Sequence, residues 1–185
     1  MSGKFIAIGT SLGGVKALST LFAGLPADFS VPIAVVIHRA PIEYDYLIES
    51  LQKSTVLNIE EASDKLPITA GRIVVAPADY HLLVNEQQYA LSLDAPVEYA
   101  RPSINVLFES VAEQYGTSAL GVLLTGGGND GVQGMQRIKR CNGTVLIESP
   151  DTAQDPTLPQ AAINAGVAST GYRLDQIIGK LTQHC

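Results

Sequence analysis

The sequence predicts an α/β protein built on a doubly wound, mostly parallel sheet, with helices on both faces and one inserted β-hairpin. Apolar runs without polar alternation, such as Val31 to His38, are typical of parallel strands that are covered on both faces. These runs alternate almost throughout the chain with segments whose apolar residues recur at helical spacing. Asn85 and Glu86 lie between two short β-rich runs, which is the pattern of a hairpin.

In the first half of the chain, the predicted strands are apolar runs bounded by turn-forming residues. Glycine ends the first strand, Pro41 stops the second, and a polar loop follows the weaker third. Leucines at helical spacing predict the two intervening helices. In chain order, the elements are strand Phe5 to Ile8, helix Gly14 to Phe22, strand Val31 to His38, helix Glu43 to Lys53, strand Val56 to Ile59 and strand Arg72 to Pro77.

The second half begins with the hairpin and then returns to alternating helices and strands. Ser103 is the expected N-cap of a long helix, and Asn142-Gly143 ends the helix that follows the next strand. The elements are hairpin arms His81 to Asn85 and Gln88 to Leu93, a helix from Ser103 through Tyr115, strand Leu120 to Thr125, helix Val132 to Cys141, strand Thr144 to Ile147, and short helices at Gln160 to Ala165 and Asp175 to Thr182 that flank a last short strand at Val167.

Length and composition indicate one globular domain that spans residues 1–185. Apolar residues make up 46% of the chain and charged residues 16%, which excludes a disordered protein. The net charge of −6 argues against a nucleic-acid partner. The apolar runs are too short for membrane insertion. The two cysteines, Cys141 and Cys185, make no disulfide framework, so a reduced, cytoplasmic setting is expected.

The most informative stretch is the turn Gly9-Thr10-Ser11-Leu12-Gly13-Gly14, directly after the first strand. It fits the pattern G-x-S-x-G, in which a sharp strand-to-helix turn presents a serine hydroxyl as a nucleophile. Two other interpretations fit the same letters. A glycine-rich turn that opens a helix also cradles phosphates in α/β proteins, or it simply connects strand and helix tightly.

Several polar residues follow the carboxyl ends of predicted strands, which is where open α/β sheets bind their ligands. Ser11 follows the first strand, His38 ends the second, Asp79 follows the fourth, and Asp130 lies in the glycine loop after Leu120 to Thr125. Serine, histidine and aspartate are the set that acyl transfer requires: a nucleophile, a base and a carboxylate that orients the base.

Each of these residues also has a purely structural interpretation. Ser11 suits a helix cap, His38 suits a strand end, and Asp130 suits a turn or N-cap. Two further histidines are weaker candidates for the base, because His81 opens a hairpin arm and His184 is next to the chain end.

The sequence predicts no metal and no cofactor. Its three histidines and two cysteines are scattered without metal-ligand spacing. Neither glycine loop is followed by the Lys-Ser/Thr pair of a P-loop, and the first turn does not fit the dinucleotide pattern G-x-G-x-x-G.

Together, these motifs make the chain resemble the catalytic domain of CheB-type chemotaxis receptor methylesterases. The resemblance covers nearly the whole chain and keeps the order of the family's motifs. The matching segments are Ile8 to Gly14, His38 after its apolar strand, Ala76-Pro77-Ala78-Asp79-Tyr80-His81, Arg101-Pro102-Ser103 with Val106-Leu107-Phe108, and Leu124 to Gly131.

The resemblance implies a protein-glutamate methylesterase with a Ser-His-Asp triad of Ser11, His38 and Asp130. Ser11 would attack the methyl ester of a receptor glutamate and methanol would leave, and glutamine deamidation would follow the same chemistry. Backbone N–H groups near Leu12 and Gly127 would hold the oxyanion. The implied partners are the cytoplasmic regions of methyl-accepting chemotaxis receptors.

This chain departs from the family's usual pattern at several positions. Leu12 stands where the family usually has Thr, Gly127 where it has Met, and Glu148-Ser149 where Gln-Asp is common. Thr157-Leu158-Pro159 replaces the usual Gly-Met-Pro. These differences bear on substrate contacts and leave the three triad residues in place.

The family usually carries an N-terminal receiver domain, and the expectation here is a chain without one. Two alternatives to the methylesterase stay open. One is a receptor-binding or signalling module of the same fold with weakened catalysis, and the other is a hydrolase of small-molecule esters.

Overall fold

A six-stranded sheet in which every pair of neighbours is parallel forms the centre of the molecule. The computed structural model describes residues 3–39 and 46–183. The strands in chain order are β1 (Phe5–Thr10), β2 (Ile33–Ile37), β3 (Asn58–Glu61), β4 (Arg72–Val75), β5 (His81–Asn85), β6 (Gln88–Ser92), β7 (Ala119–Leu123) and β8 (Thr144–Ile147). The sheet has the order β3-β4-β2-β1-β7-β8, and β5 and β6 pair separately as an antiparallel hairpin.

Helices cover both faces of this sheet, as the uninterrupted apolar strands predicted. The helices are α1 (Gly14–Ala23), α2 (Leu47–Gln52), α3 (Ile104–Tyr115), α4 (Val132–Arg140), α5 (Thr157–Asn164) and α6 (Leu174–Gln183). Residues of α3, α4 and α5 join the apolar cluster on one face, and residues of α1, α2 and α6 join the cluster on the other.

The central strand β1 shows why both faces must be covered. Its six residues are all buried. Phe5 and Ala7 belong to the cluster on the α3 face, whereas Ile6 and Ile8 belong to the cluster on the α1 face. Successive side chains of a strand point to opposite faces, so a strand that is apolar at every position needs apolar partners on both sides.

The structure corrects two predictions near the C-terminus. Val167 does not form a strand, because its N–H donates to Ala162 O at 3.1 Å and Gly166 takes a φ of +73°. These are the features of a left-handed cap at the end of α5. In addition, α5 begins at Thr157 and not at Gln160, since Pro159 lies in the first helical turn, where its missing N–H costs nothing.

The remaining differences are shifts at the ends of elements. The third strand is Asn58–Glu61 where Val56 to Ile59 was predicted. The second helix is described from Leu47, and the predicted start at Glu43 lies outside the described residues. Among the described residues, no helix combines the length and apolar character that crossing a membrane requires.

The strand order determines where a ligand site should lie. The chain passes from β1 to β2 on one side and later places β7 on the other side of β1. In open α/β sheets, the crevice at the carboxyl ends of two such strands is the usual ligand site. Ser11 directly follows β1, and the loop from Leu124 to Gly131 follows β7, so both lie at this crevice.

Candidate active site

The serine turn is held in place by backbone hydrogen bonds to the neighbouring strand end. Ser11 N–H donates to Thr125 O at 3.0 Å, and Gly14 N–H donates back to Ser11 O at 2.9 Å, which closes the turn. Gly13 is the N-cap of α1 with a φ of +83°, a conformation that favours glycine. Ser11 is partly exposed, and it stands at the positive end of the α1 dipole.

Two other glycines provide close packing around this turn. A Cβ atom at Gly9 would overlap the Ile104 side chain, so this glycine lets the start of α3 approach β1. A Cβ atom at Gly126 would lie 2.7 Å from Ser11 Cβ and 3.0 Å from Ser11 N. The loop after β7 therefore packs directly against the backbone that carries the candidate nucleophile.

His38 and Asp130 are joined by a short hydrogen bond across the same edge of the sheet. His38 follows β2, and its N–H donates to Thr10 O at 3.1 Å. Its Nε2 lies 2.7 Å from Asp130 Oδ2, and the two side chains are 21% and 3% exposed. This contact brings together two residues that are 92 positions apart in the sequence.

The Asp130 carboxylate is held by the N-terminus of α3. Ser103 Oγ–H donates to Oδ1 at 2.7 Å, Ile104 N–H donates to Oδ2 at 2.6 Å, and Asn105 N–H donates to Oδ1 at 3.0 Å. All three donors direct a hydrogen atom at the carboxyl oxygens, so Asp130 acts here as a hydrogen-bond acceptor. The His38 ring nitrogen is therefore the donor in the fourth bond.

The N-cap interpretation of Asp130 fails for its own helix. The N-cap of α4 is Gly131, which has no side chain of its own to cap that helix. Instead, Asn105 Oδ1 accepts the N–H groups of Gly131 and Gly134 at 2.9 and 2.8 Å. Asp130 thus accepts hydrogen bonds from the N-terminus of α3, and Asn105 accepts hydrogen bonds from the N-terminus of α4. These reciprocal hydrogen bonds hold the two helix N-termini together.

Ser103 combines the predicted capping role with an unforeseen one. Its Oγ accepts the Val106 N–H at 3.4 Å, which confirms it as the N-cap of α3. The same hydroxyl donates to Asp130, a contact that local sequence reasoning missed because the two residues are 27 positions apart.

Ser11 and His38 face one cavity. This cavity has a volume of about 590 Å³, and its other lining residues include Leu12, Val15 and Tyr46. Leu12 is 62% exposed, so its side chain forms an apolar rim beside the serine. His38 also borders a second cavity of about 580 Å³, which Asp130 and Gly127 line.

The hydroxyl of Ser11 has no hydrogen-bond partner within residues 3–39 and 46–183, and a Ser11–His38 bond is therefore not part of the described geometry. Hydrogen bonds of catalytic groups are often long without substrate and shorten when it binds.

The two positions expected to supply oxyanion donors have available backbone N–H groups. In the described part of the chain, no acceptor lies on the N–H of Leu12 or Gly127. Leu12 O is fixed, however, because it accepts the Thr125 hydroxyl at 3.0 Å. A Cβ atom at Gly127 would meet only Asp155 Oδ2, at an ordinary 3.4 Å, so crowding does not require glycine there.

The other sequence candidates lie outside the His38–Asp130 pair. Asp79 is half-exposed and pairs with Arg101 at 2.7 Å. His81 is buried; its Nδ1 accepts the Ser103 N–H at 3.2 Å, and its Nε2–H donates to Ala95 O at 3.1 Å. His184 lies outside the described residues. Within those residues, no group of three or more His, Cys, Asp or Glu side chains is placed to hold a metal ion.

Glu148 is a buried carboxyl group at the same sheet edge, and the sequence had marked it only as a departure from the Gln that is common in the family. It follows β8 directly, as Ser11 follows β1, and it is 2% exposed. Its Oε2 accepts the Thr125 N–H at 2.8 Å. Burial raises the pKa of Glu148, and the hydrogen bond from Thr125 opposes that shift.

Comparison with known proteins identifies relatives over almost the full chain. The chain matches the family described as CheB methylesterase over residues 6–181. A Leptospira interrogans relative is 37% identical over 178 residues, which cover 96% of this chain and 92% of that protein. A relative from Anaeromyxobacter dehalogenans, named protein-glutamate methylesterase/protein-glutamine glutaminase 2, is 40% identical over 174 residues; the match covers 94% of this chain but 51% of that protein.

The solved structure of the Thermotoga maritima CheB methylesterase catalytic domain has the same fold. It superposes with a TM-score of 0.95 at 31% sequence identity, and the match covers 100% of both chains. This likeness extends over the whole six-stranded sheet and its surrounding helices. The chain therefore belongs to the CheB methylesterase family.

Proposed function

We propose that this protein hydrolyses glutamate γ-methyl esters on the cytoplasmic regions of methyl-accepting chemotaxis receptors, with Ser11, His38 and Asp130 as its catalytic triad. The observation that carries the proposal is the 2.7 Å bond between His38 and an Asp130 carboxylate that three further donors hold. His38 also faces the cavity that contains Ser11. Membership of the CheB methylesterase family supports the ester as substrate.

In the first half of the reaction, Ser11 Oγ attacks the ester carbonyl and its proton passes to His38. Asp130 holds His38 through Nε2, so Nδ1 is the ring nitrogen that receives the proton. The N–H groups of Leu12 and Gly127 donate hydrogen bonds that stabilise the negative charge on the carbonyl oxygen. His38 then returns the proton to the leaving methoxide, methanol departs, and the receptor glutamate is left as an acyl ester of Ser11.

In the second half, water attacks the acyl enzyme. His38 takes a proton from the water, and the tetrahedral intermediate collapses to a free glutamate carboxylate and a regenerated Ser11 hydroxyl. A glutamine side chain would enter the same sequence with ammonia leaving instead of methanol. The relative from Anaeromyxobacter dehalogenans is named for both activities, which supports amide hydrolysis as a second reaction of the same site.

The test is methanol release from receptor that has been methylated with a radiolabelled methyl group. Wild-type protein should release labelled methanol, and Ser11→Ala should release it no faster than buffer. Glu113→Gln is the control, because Glu113 lies exposed on α3 and its carboxylate pairs, within the described part of the chain, with Arg137 at 3.5 Å. Equal release by wild type and Ser11→Ala would contradict the proposal.

The same experiment separates the alternatives. A non-catalytic receptor-binding module would bind methylated receptor without releasing methanol. A hydrolase of small esters would cleave a short ester in a Ser11-dependent reaction and leave the methylated receptor intact.

A further inference from the structure

Thr125 is the residue through which the serine turn is attached to the rest of the sheet edge. Its carbonyl oxygen accepts both the Ser11 N–H at 3.0 Å and the Thr10 hydroxyl at 2.7 Å. Its own hydroxyl donates to Leu12 O at 3.0 Å and accepts the Asp155 N–H at 2.8 Å. Thr125 is 1% exposed, so little water competes for these bonds.

The peptide groups on either side of Thr125 are fixed by two different partners. The peptide after it is held because Gly126 N–H donates to Asp155 O at 3.1 Å. The peptide before it is held by Glu148, whose Oε2 accepts the Thr125 N–H at 2.8 Å. Glu148 is itself anchored, since its backbone N–H donates to Leu123 O at 2.8 Å.

We propose that Glu148 is a positioning residue for the nucleophile, acting through Thr125 to hold the Ser11–Leu12 backbone in its reactive geometry. Glu148 touches neither the substrate nor the reacting atoms. Without its acceptor oxygen, the Thr125 N–H loses its only partner among the described residues, and the Thr125 backbone that carries the carbonyl bonded to Ser11 N–H loses one of its restraints. This inference rests on the proposed function, in which Ser11 is the nucleophile.

The surroundings of Glu148 indicate that an acceptor oxygen matters there and a negative charge does not. The charged residues that share its cavity of about 350 Å³ are Arg173 and Asp175, which pair with each other at 3.2 Å. Burial raises the pKa of Glu148, which means that its surroundings disfavour the charged form relative to water. A neutral carboxyl group and an amide both offer an oxygen that can accept the Thr125 N–H.

Three substitutions at this position separate the possible roles. Glu148→Gln keeps an acceptor oxygen at the same distance from the backbone and removes the charge. Glu148→Asp keeps the charge and shortens the side chain by one methylene, so its oxygen falls short of Thr125. Glu148→Met keeps a similar length and volume and removes the acceptor. Glu113→Gln serves as the control.

The measurement is the rate at which a fluorophosphonate labels Ser11, together with kcat and KM for methylated receptor, all well below each variant's melting temperature. We expect Glu148→Gln to stay close to the wild-type rate. A 1 Å displacement of a reacting group costs roughly 100-fold, so Glu148→Asp and Glu148→Met should lose labelling rate and kcat by about that factor. The KM for receptor should not change, because Glu148 does not contact the receptor in this account.

A wild-type kcat in Glu148→Met would overturn the proposal. So would a loss of kcat in Glu148→Gln while Glu148→Asp keeps the wild-type kcat, because that result would assign the role to the charge. Should the methionine variant fail to fold, the comparison of Gln with Asp decides alone. Ser11→Ala distinguishes failure of the proposed function from failure of the inference about Glu148. If Ser11→Ala remains active, the proposed function fails. If Ser11→Ala is inactive and Glu148→Met is fully active, only the inference about Glu148 is overturned.

Discussion

Asp130 illustrates how much of the proposed chemistry depends on one side chain. Its carboxylate accepts four hydrogen bonds, from Ser103 Oγ, two α3 backbone N–H groups and His38. Three of these donors fix its orientation before His38 is considered. The carboxylate can therefore hold the imidazole in one tautomer and one orientation, which is the role that acyl transfer requires of it.

The first prediction concerns Asp130→Asn. An asparagine side chain has only one acceptor oxygen, so its NH₂ group must face either the α3 backbone donors or the His38 ring. We expect kcat for methanol release to fall roughly 10,000-fold if this triad behaves as others do. Asp79→Asn is the matched control, since Asp79 also follows a strand but pairs with Arg101. A loss of less than tenfold in folded Asp130→Asn would argue against the triad.

A second prediction at this scale concerns stability and pH. Because the pKa of Glu148 is raised in the folded protein, the folded state binds the Glu148 proton more tightly than the unfolded state does. Its contribution is complete below the unfolded pKa of about 4.3 and is lost as the pH rises through the raised folded pKa. Glu148→Gln removes this loss.

The difference in melting temperature, Glu148→Gln minus wild type, should therefore become more positive as the pH is raised from acidic to alkaline values. The charged residues that share its cavity, Arg173 and Asp175, are present in both proteins. Thermal unfolding of both proteins across this range checks the trend, with Glu113→Gln as the exposed control. A difference that stays constant with pH would show that the Glu148 pKa is not raised.

At the scale of elements, the site depends on where helices and strands begin and end. The N-termini of α3 and α4 exchange side chains, since Asp130 accepts from the first residues of α3 and Asn105 accepts from Gly131 and Gly134. The strand ends contribute Ser11, His38 and Thr125. The proposed catalytic residues therefore lie directly beside the ends of strands and helices, with Ser11 after β1, His38 after β2 and Asp130 before α4.

Gly126 offers a test at this scale. A Cβ atom there would lie 2.7 Å from Ser11 Cβ, so Gly126→Ala should displace the serine turn. We expect a loss of kcat of roughly 100-fold from such a displacement. Gly179→Ala in α6 is the control, because no atom lies within 4 Å of its added Cβ. Unchanged kcat in Gly126→Ala, measured by methanol release, would mean that the contact between the two loops does not position Ser11.

Across the whole molecule, the all-parallel sheet explains why residues from distant parts of the chain converge. Every strand of the sheet runs in the same direction, so all the carboxyl ends lie at one edge. The chain adds β2 on one side of β1 and later adds β7 on the other side. A crevice therefore opens between the loops that follow β1 and β7. Ser11 and Asp130 come from these two loops, and His38 follows β2 on the other side of β1.

This geometry also explains what could be predicted from the sequence. Continuously apolar strands are visible in the letters, and the rule for parallel sheets then placed Ser11, His38 and Asp130 at one edge. Local patterns contain no information on pairs that the tertiary fold creates, such as Ser103 with Asp130 or Glu148 with Thr125. The Val167 strand was predicted wrongly because one short apolar stretch does not distinguish a strand from a helix cap.

The most direct test of the central claim is mass spectrometry after reaction with a fluorophosphonate, which reacts preferentially with an activated serine hydroxyl. The account predicts one adduct per chain, located on Ser11, with labelling lost in Ser11→Ala and strongly slowed in Asp130→Asn. An adduct on another residue, or hydrolysis of methylated receptor that persists in Ser11→Ala, would contradict it.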